Sequence, residues 1–206
     1  MSKLLPAMIA GLVCLLCGAA AFAATVNGTN GDNTLFGTTG DDTINAKGGL
    51  DLVFGRSGDD TIRGGTGEDT LQGDAVCPSG SRDPDRCDQT RGTGNDVLRG
   101  EAGADVMAGG AGEDTVFGGS GDDNIQGGSG RDRIDGGSGA DTIYGQNGSD
   151  RITGGFATDY IFAGSGADTV LARDGARDEI FCGAGTDTAM VDRFDKVSRC
   201  EKVSRK

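Results

Sequence analysis

Residues 118–126 read GGSGDDNIQ, and the same pattern recurs through most of this chain. The next two nonapeptides, GGSGRDRID at 127–135 and GGSGADTIY at 136–144, repeat it without a gap. The unit can be written G-G-x-G-x-D-x-U-x, where U is a large aliphatic residue. A short repeat at constant spacing is typical of a solenoid, in which each unit packs only against its neighbours.

Two positions of the unit keep their chemistry from end to end. The sixth position holds, in order, Asn33, Asp42, Asp51, Asp60, Asp69, Asp96, Asp105, Asp114, Asp123, Asp132, Asp141, Asp150, Asp159 and Asp168. The eighth holds Leu35, Ile44, Val53, Ile62, Leu71, Leu98, Met107, Val116, Ile125, Ile134, Ile143, Ile152, Ile161 and Val170. This regularity argues against the main alternative, a disordered Gly- and Asp-rich segment.

Each unit contains enough residues for one short strand and one turn. The three residues x-U-x form a strand with U pointing inward, and the glycine-rich hexapeptide before it forms a turn. Two units then complete one circuit of a flattened parallel coil, and successive circuits stack about 4.8 Å apart. The pattern therefore predicts an all-β, parallel β-roll whose sixth-position side chains form two columns.

Such columns of carboxylates need a cation. Two unit charges about 5 Å apart repel by about 3 kcal/mol at an effective dielectric constant of 20. Carboxylates and backbone carbonyls together form a set of hard oxygen ligands, and a flexible glycine turn suits the irregular coordination of Ca²⁺ better than the strict octahedron of Mg²⁺. We therefore expect calcium between the turns.

The repeat resembles that of the repeats-in-toxin (RTX, hemolysin-type) calcium-binding family, and the chain resembles the stand-alone secreted members. The resemblance implies a right-handed β-solenoid, with Ca²⁺ held between turns by the aspartates and by turn carbonyls. Carried over to this sequence, the metal ligands are Asp42, Asp51, Asp60, Asp69, Asp96, Asp105, Asp114, Asp123, Asp132, Asp141, Asp150, Asp159, Asp168, Gly109, Gly118, Gly127, Gly136 and Gly145. Two columns of seven turns leave six gaps each, or up to about twelve ions. Sites near Asn33, Ala46-Lys47 and Ala157 depart from the pattern and are in doubt.

Composition limits the other functions. The formal net charge of −13 disfavours nucleic acid as a partner, because its phosphates would be repelled. The sequence contains no histidine, which removes the usual general base of a hydrolase and the usual nitrogen ligand of zinc. We therefore expect a protein without catalysis, although this repeat often follows protease or lipase domains.

The repeats divide the chain into four parts. Residues 1–23 read as a secretory signal peptide cut before Ala24, with a membrane anchor as the competing interpretation. Residues 24–171 form the roll, residues 74–91 a loop inserted into it, and residues 172–206 a C-terminal capping segment. This organisation predicts a secreted, extracellular protein with no membrane span after cleavage.

Four cysteines remain after cleavage, in a compartment where disulfides can form. Cys77 and Cys87 both lie in the inserted loop, so a local disulfide is the simplest pairing, and Cys182 then pairs with Cys200 in the capping segment. A metal site made of all four thiols is the alternative.

Outward-facing apolar residues suggest one further function. Phe36, Leu52 and Phe54 share one face of the predicted coil, and Tyr144, Tyr160 and Phe162 follow on the same face. This strip is either a docking surface for a cell-surface or glycan partner or a cover for the roll. Ice binding is disfavoured, because regularly placed Thr and Asn are expected at the third and fifth turn positions and only Thr93 with Asn95 fits.

Overall fold

The computed structural model describes residues 23–74 and 93–206, and in these two ranges the chain forms strands and turns but no helix. The predicted signal peptide and the predicted Cys77–Cys87 pair therefore lie outside the described residues, apart from Ala23. Within the described ranges the strands form two parallel sheets, and consecutive strands alternate between them.

We call the two sheets odd and even after the strands they contain. The odd sheet consists of β1 (Thr25–Asn27), β3 (Thr43–Gly48), β5 (Thr61–Thr66), β7 (Val97–Ala102), β9 (Thr115–Ser120), β11 (Arg133–Ser138), β13 (Arg151–Phe156), β15 (Thr169–Ala172), β17 (Thr188–Val191) and β19 (Lys202–Arg205). The even sheet consists of β2 (Thr34–Phe36), β4 (Leu52–Arg56), β6 (Thr70–Asp74), β8 (Val106–Ala111), β10 (Asn124–Ser129), β12 (Thr142–Asn147), β14 (Tyr160–Gly166), β16 (Glu179–Gly185) and β18 (Lys196–Ser198).

The register of the sheets follows the repeat. Ile125 in β10 pairs with Met107 in β8 on one side and with Ile143 in β12 on the other, each 18 residues away. Two nonapeptides thus make one circuit, and equivalent residues stack in straight columns. The predicted parallel β-roll is confirmed.

The core is a single layer of aliphatic side chains between the two sheets. All fourteen eighth-position residues from Leu35 to Val170 are buried, with exposed fractions of 0 to 3%. The residues before and after each of these side chains face outward, so each short strand contributes little more than one core residue. Ile180 and Ala189 continue the layer toward the C-terminus. Burial therefore depends on stacking many units.

The turns require left-handed backbone at their second and fourth positions. In the turn 118–123, Gly119 has φ 118° and Gly121 has φ 126°. Some turns place another residue there: Lys47 has φ 87° at a second position, and Ala157 has φ 86° at a fourth. A side chain at positive φ is strained, yet these irregular turns keep the conformation of the regular ones.

The insertion does not interrupt the stacking. Strand β7 pairs with β5 in the regular register, Ile62 opposite Leu98, although 36 residues separate them. The backbone N–H of Asp60 likewise donates to Oδ1 of Asp96 at 2.7 Å. The roll therefore continues past residues 75–92 as if one circuit followed the next.

The sheets also continue beyond residue 171. Strands β16 to β19 extend both sheets to Arg205, with Tyr160 opposite Glu179 and Thr188 opposite Lys202. Cys182 and Cys200 form a disulfide that joins the last circuits, which confirms the predicted pairing of these two cysteines. At residue 171 the repeat sequence changes, but the strand pairing does not. That residues 172–206 act as a cap stays a prediction. No helix among the described residues is long and apolar enough to cross a membrane.

Candidate metal sites between the turns

The sixth-position aspartates stand at the turns, each directly before a strand. Those before even strands form one column, the even column, which runs through Asn33, Asp51, Asp69, Asp105, Asp123, Asp141 and Asp159. Those before odd strands form the odd column, through Asp42, Asp60, Asp96, Asp114, Asp132, Asp150 and Asp168. All thirteen aspartates are buried, with exposed fractions of 0 to 3%. The fold thus brings the predicted ligands together in the expected two ranks.

One oxygen of each carboxylate is used by the backbone of the preceding circuit. Oδ1 of Asp123 accepts a hydrogen bond from the N–H of Asp105 at 2.8 Å, and Oδ1 of Asp141 accepts one from the N–H of Asp123 at 2.9 Å. The same bond repeats along both columns. Each aspartate therefore links two circuits through its own side chain.

The other oxygen has no partner. Oδ2 is buried without a hydrogen bond in twelve of the thirteen predicted aspartates: Asp51, Asp60, Asp69, Asp96, Asp105, Asp114, Asp123, Asp132, Asp141, Asp150, Asp159 and Asp168. A buried polar atom left unpaired costs about 1–3 kcal/mol, and more if it is charged. A column of such atoms calls for a ligand that the protein itself does not supply.

A backbone carbonyl lies beside most of these oxygens, namely those of Asp60, Asp69, Asp96, Asp105, Asp114, Asp123, Asp132, Asp141 and Asp150. A methyl group on Gly118 would collide with Oδ2 of Asp123 and with the carbonyl oxygen of Gly136 in the next circuit. Both oxygens thus border the same space, which exists because the first residue of the turn is glycine. The other predicted glycines place their carbonyl groups in the same way, beside the first glycine of the preceding circuit. They are Gly109, Gly118, Gly127 and Gly145.

Burial makes these carboxylates costly to ionise. Desolvation raises the pKa of Asp123 to about 6 and the pKa of Asp105 to about 7, against an ordinary value of 3.8. In the odd column it raises the pKa of Asp96 to about 8. Hydrogen bonds from the backbone oppose the shift, and the charges of neighbouring aspartates add to it. A bound cation would instead lower the pKa of these carboxylates, because its positive charge stabilises their ionised form.

The donor set fits calcium. No three acidic or thiol side chains converge on one point within residues 23–74 and 93–206. What the turns bring together is a carboxylate oxygen and a backbone carbonyl oxygen. Such oxygen-only sets, built on flexible turns, suit Ca²⁺, which accepts six to eight ligands in irregular geometry.

The N-terminal turns depart from the pattern. Both oxygens of Asp42 already accept hydrogen bonds, Oδ1 from the N–H of Ala24 at 2.6 Å and Oδ2 from the N–H of Thr38 at 2.5 Å. In the first turn Asn33 replaces the carboxylate, and Nζ of Lys47 donates to the carbonyl oxygen of Gly28 at 2.8 Å. An ammonium group of the protein thus binds a turn carbonyl where the carboxylate is missing.

Two further aspartates, which the nine-residue spacing did not identify, join the columns. The N–H of Asp159 donates to Oδ1 of Asp178, the N–H of Asp168 donates to Oδ1 of Asp187, and both new carboxylates have a buried Oδ2 without a partner. Each follows its predecessor by 19 residues instead of 18. The signal was present in the sequence as Asp followed two residues later by an aliphatic residue, Ile180 or Ala189.

The predicted aromatic strip lies on the even sheet but is not continuous. Phe36 stacks on Phe54 with ring centroids 5.2 Å apart, and Tyr144, Phe162 and Phe181 form a second stack at 5.1 and 5.2 Å. Between the two stacks the same position holds Gln72, Ala108 and Gln126. Leu52 and Tyr160 lie beside the stacks with 36% and 44% of their surface exposed.

Comparison with known proteins agrees with this geometry. The family described as RTX calcium-binding nonapeptide repeat (4 copies) matches residues 27–62, 54–75, 92–116, 117–152, 135–170, 144–178 and 153–189. No curated protein matches the chain. The family match covers well over half of the sequence and includes both ranks of aspartates, so the chain belongs to the RTX family of calcium-binding nonapeptide repeats.

Proposed function

We propose that this is a secreted calcium-binding protein whose folding is driven by Ca²⁺ held between the stacked turns. The observation that supports it is the double rank of buried Oδ2 atoms without partners. At neutral pH these carboxylates either remain protonated or require a cation in each gap. A family of calcium-binding repeats makes calcium the cation of choice.

In each gap the chain supplies the oxygens and the ion supplies the charge. Oδ1 of the aspartate holds the backbone of the preceding circuit and so fixes the side chain, which leaves Oδ2 directed into the gap. The carbonyl oxygen of the first turn residue in the next circuit lies beside Oδ2 and faces the same gap. The ion, when bound, neutralises carboxylates that would otherwise repel across the circuits.

Many weak sites are sufficient to decide folding. For extracellular modules with dissociation constants of about 10⁻⁴ to 10⁻³ M, millimolar calcium contributes about 0.4–1.4 kcal/mol per site. About a dozen sites contribute about 5–17 kcal/mol, which is comparable to the whole stability of a typical domain. Secretion into a calcium-rich medium would then be the event that switches the chain from unfolded to folded.

Calcium titration of the mature chain tests this proposal. We expect the metal-free protein to show the circular dichroism of a largely unfolded chain and to gain β structure cooperatively as calcium is added. Native mass spectrometry of the same samples should show several ions bound, up to about twelve. A native-like spectrum that persists after exhaustive removal of calcium would contradict the proposal.

A matched pair of variants separates the sites from general charge effects. Asp123→Asn keeps an acceptor for the N–H of Asp105 but removes the charge and the second carboxylate oxygen from the gap. Glu101→Gln removes one charge from an exposed position of β7. We expect the first variant to need more calcium for folding and to bind fewer ions, and the second to titrate like the unchanged protein.

Adhesion through the aromatic strip stays an untested prediction. Stacked rings at the same position of neighbouring strands are explained as cross-strand pairs that stabilise the sheet. The calcium-binding family is a structural fold rather than a class of enzymes. A glycan-binding assay in which replacement of Phe36, Phe54 and Tyr144 abolishes binding would add the function.

A further inference from the structure

The chain leaves the roll for its insertion directly after Asp74. This residue occupies the second position of the turn that continues with Gly94 and ends at Asp96, where the repeat has glycine. Elsewhere strand pairing runs through this position, as Gly110 opposite Gly128 shows. Between β6 and β8 it stops at Gln72 opposite Ala108, so Asp74 and Gly110 are not paired as backbone.

The side chain of Asp74 lies where other circuits have the carbonyl group of the second turn residue. A methyl group on Gly128 would collide with the carbonyl oxygen of Gly110, the second-position residue one circuit earlier. At Gly110 the same methyl group would instead meet Cβ of Asp74 at 2.5 Å and Oδ2 at 2.7 Å. Oδ2 also accepts a hydrogen bond from the N–H of Ala111 at 2.8 Å. A carboxylate thus stands where other circuits have a neutral turn carbonyl.

The second oxygen of this carboxylate is unused. Asp74 is 7% exposed, and its Oδ1 is buried without a partner. The adjacent residue, Gly73, borders the space shared by the unpartnered Oδ2 of Asp96 and the carbonyl oxygen of Gly109, which lies 2.6 Å from the position of an added methyl group.

We propose that Asp74 is an additional ligand of a calcium ion held between the Asp96 and Asp114 turns, with its carboxylate at the place where other circuits have the carbonyl of the second turn residue. This inference rests on the proposed function, since it assigns one more residue to one of its gaps. The site then combines the carboxylates of Asp74 and Asp96 with carbonyl oxygens such as that of Gly109. Because calcium affinity rises with the charge of the ligands, this gap binds more tightly than its neighbours and fills first.

A simpler role for Asp74 makes a different prediction. If its carboxylate only satisfies the N–H of Ala111, then an amide at the same place serves equally well, because its oxygen accepts the same hydrogen bond. Asp74→Asn therefore removes the charge and leaves the structural contact. Asp74→Glu keeps the charge and serves as the second variant.

Calcium titration of the full mature chain distinguishes the two roles, with ion counts from native mass spectrometry and affinities from calorimetry. We expect Asp74→Asn to weaken the tightest site at least about tenfold while the weaker sites are unchanged, and Asp74→Glu to retain more of that affinity. Glu101→Gln, an exposed carboxylate at the second position of another turn, is the control for a lost negative charge. An Asp74→Asn chain that titrates like Glu101→Gln would overturn the assignment, whereas a wild-type chain that binds no calcium would overturn the proposed function itself.

Discussion

At the scale of single residues, the two oxygens of each turn aspartate have different tasks. Oδ1 of Asp141 binds the N–H of Asp123 at 2.9 Å and so joins one circuit to the next. Oδ2 of the same residue is buried with no partner. An asparagine can perform the first task but leaves no anionic oxygen for the second. The proposed function therefore accounts for aspartate at this position, where the hydrogen bond between circuits alone would accept asparagine.

The first turn shows how the chain manages without a carboxylate. Asn33 holds the N–H of Thr29 at 2.6 Å through its own Oδ1, and the Lys47 ammonium binds the carbonyl of Gly28. A protein cation therefore occupies the neighbourhood where regular gaps present oxygens to a metal. The lysine also carries the backbone strain of φ 87°.

We expect the double variant Asn33→Asp, Lys47→Gly to create one more calcium site. Aspartate restores the carboxylate, glycine removes the competing ammonium, and the positive φ at position 47 suits glycine better than lysine. Native mass spectrometry at saturating calcium should count one additional ion. The single variant Asn33→Asp, which keeps the ammonium, should not gain it; an equal gain in both variants would show that Lys47 does not compete.

At the scale of the elements, each unit is a strand that buries one aliphatic side chain and a turn that binds the next circuit. Neither is stable alone, since a strand of three to seven residues buries too little apolar surface. The units after residue 171 tolerate an extra residue, because the spacing from Asp159 to Asp178 is 19 while the pairing of β14 with β16 stays in register.

The last elements are also joined covalently. Cys182 is fully buried in the core layer, and its disulfide to Cys200 closes a loop of 18 residues across β18. Closing a loop of about this length in the unfolded chain stabilises the folded state by about 3 kcal/mol in the chain-entropy model. The disulfide therefore compensates for the weaker repeat sequence at this end.

We expect the double variant Cys182→Ala, Cys200→Ala to lose about 2–4 kcal/mol of unfolding free energy. Urea unfolding at saturating calcium measures the loss, because calcium binding to the regular gaps is then held constant. The calcium count of the variant should be unchanged within the regular repeats. A variant as stable as the parent would show that the terminal circuits unfold independently of the rest.

At the scale of the whole molecule, the roll is a one-dimensional stack held by repeated contacts between circuits. Its net charge of −13 and its buried carboxylates both oppose folding when no cation is present. The proposed function therefore links folding to metal binding, and we expect this linkage to depend on pH because protons compete with calcium for the same oxygens.

The metal-free protein should be more folded at pH 5 than at pH 8. Burial raises the pKa of Asp60 and Asp141 to about 7 and of Asp96 to about 8 in the folded state, from an ordinary value of 3.8. The folded chain then binds more protons than the unfolded chain between these values, so its stability falls as pH rises through this window. Circular dichroism of protein freed of metal on a chelating resin measures the change.

Calcium should remove this dependence. Between pH 5 and pH 8 the unfolded chain has ionised carboxylates, and so does the folded chain once calcium has displaced the protons. The unfolding free energy at saturating calcium should therefore be nearly the same at pH 5 and pH 8, which urea unfolding at the two pH values measures. A metal-free chain that is better ordered at pH 8 than at pH 5 would show that the buried carboxylates do not control folding.

The sequence alone determined the repeat, the parallel roll, the core residues from Leu35 to Val170 and the two ranks of aspartates. Those features follow from local chemistry, because a strict nine-residue period with two units per circuit places equivalent side chains in two straight columns. It also identified the Cys182–Cys200 disulfide, since two nearby cysteines in one terminal segment had few other partners.

Only the tertiary structure decided which oxygens are free. Sequence spacing could not reveal that both oxygens of Asp42 already accept hydrogen bonds, or that Asp178 and Asp187 continue the columns. Nor could it reveal that the carboxylate of Asp74 packs against Gly110. The reason is that a periodic pattern predicts columns but not hydrogen bonds between circuits. Whether an oxygen is left for calcium depends on what the neighbouring circuit donates to it.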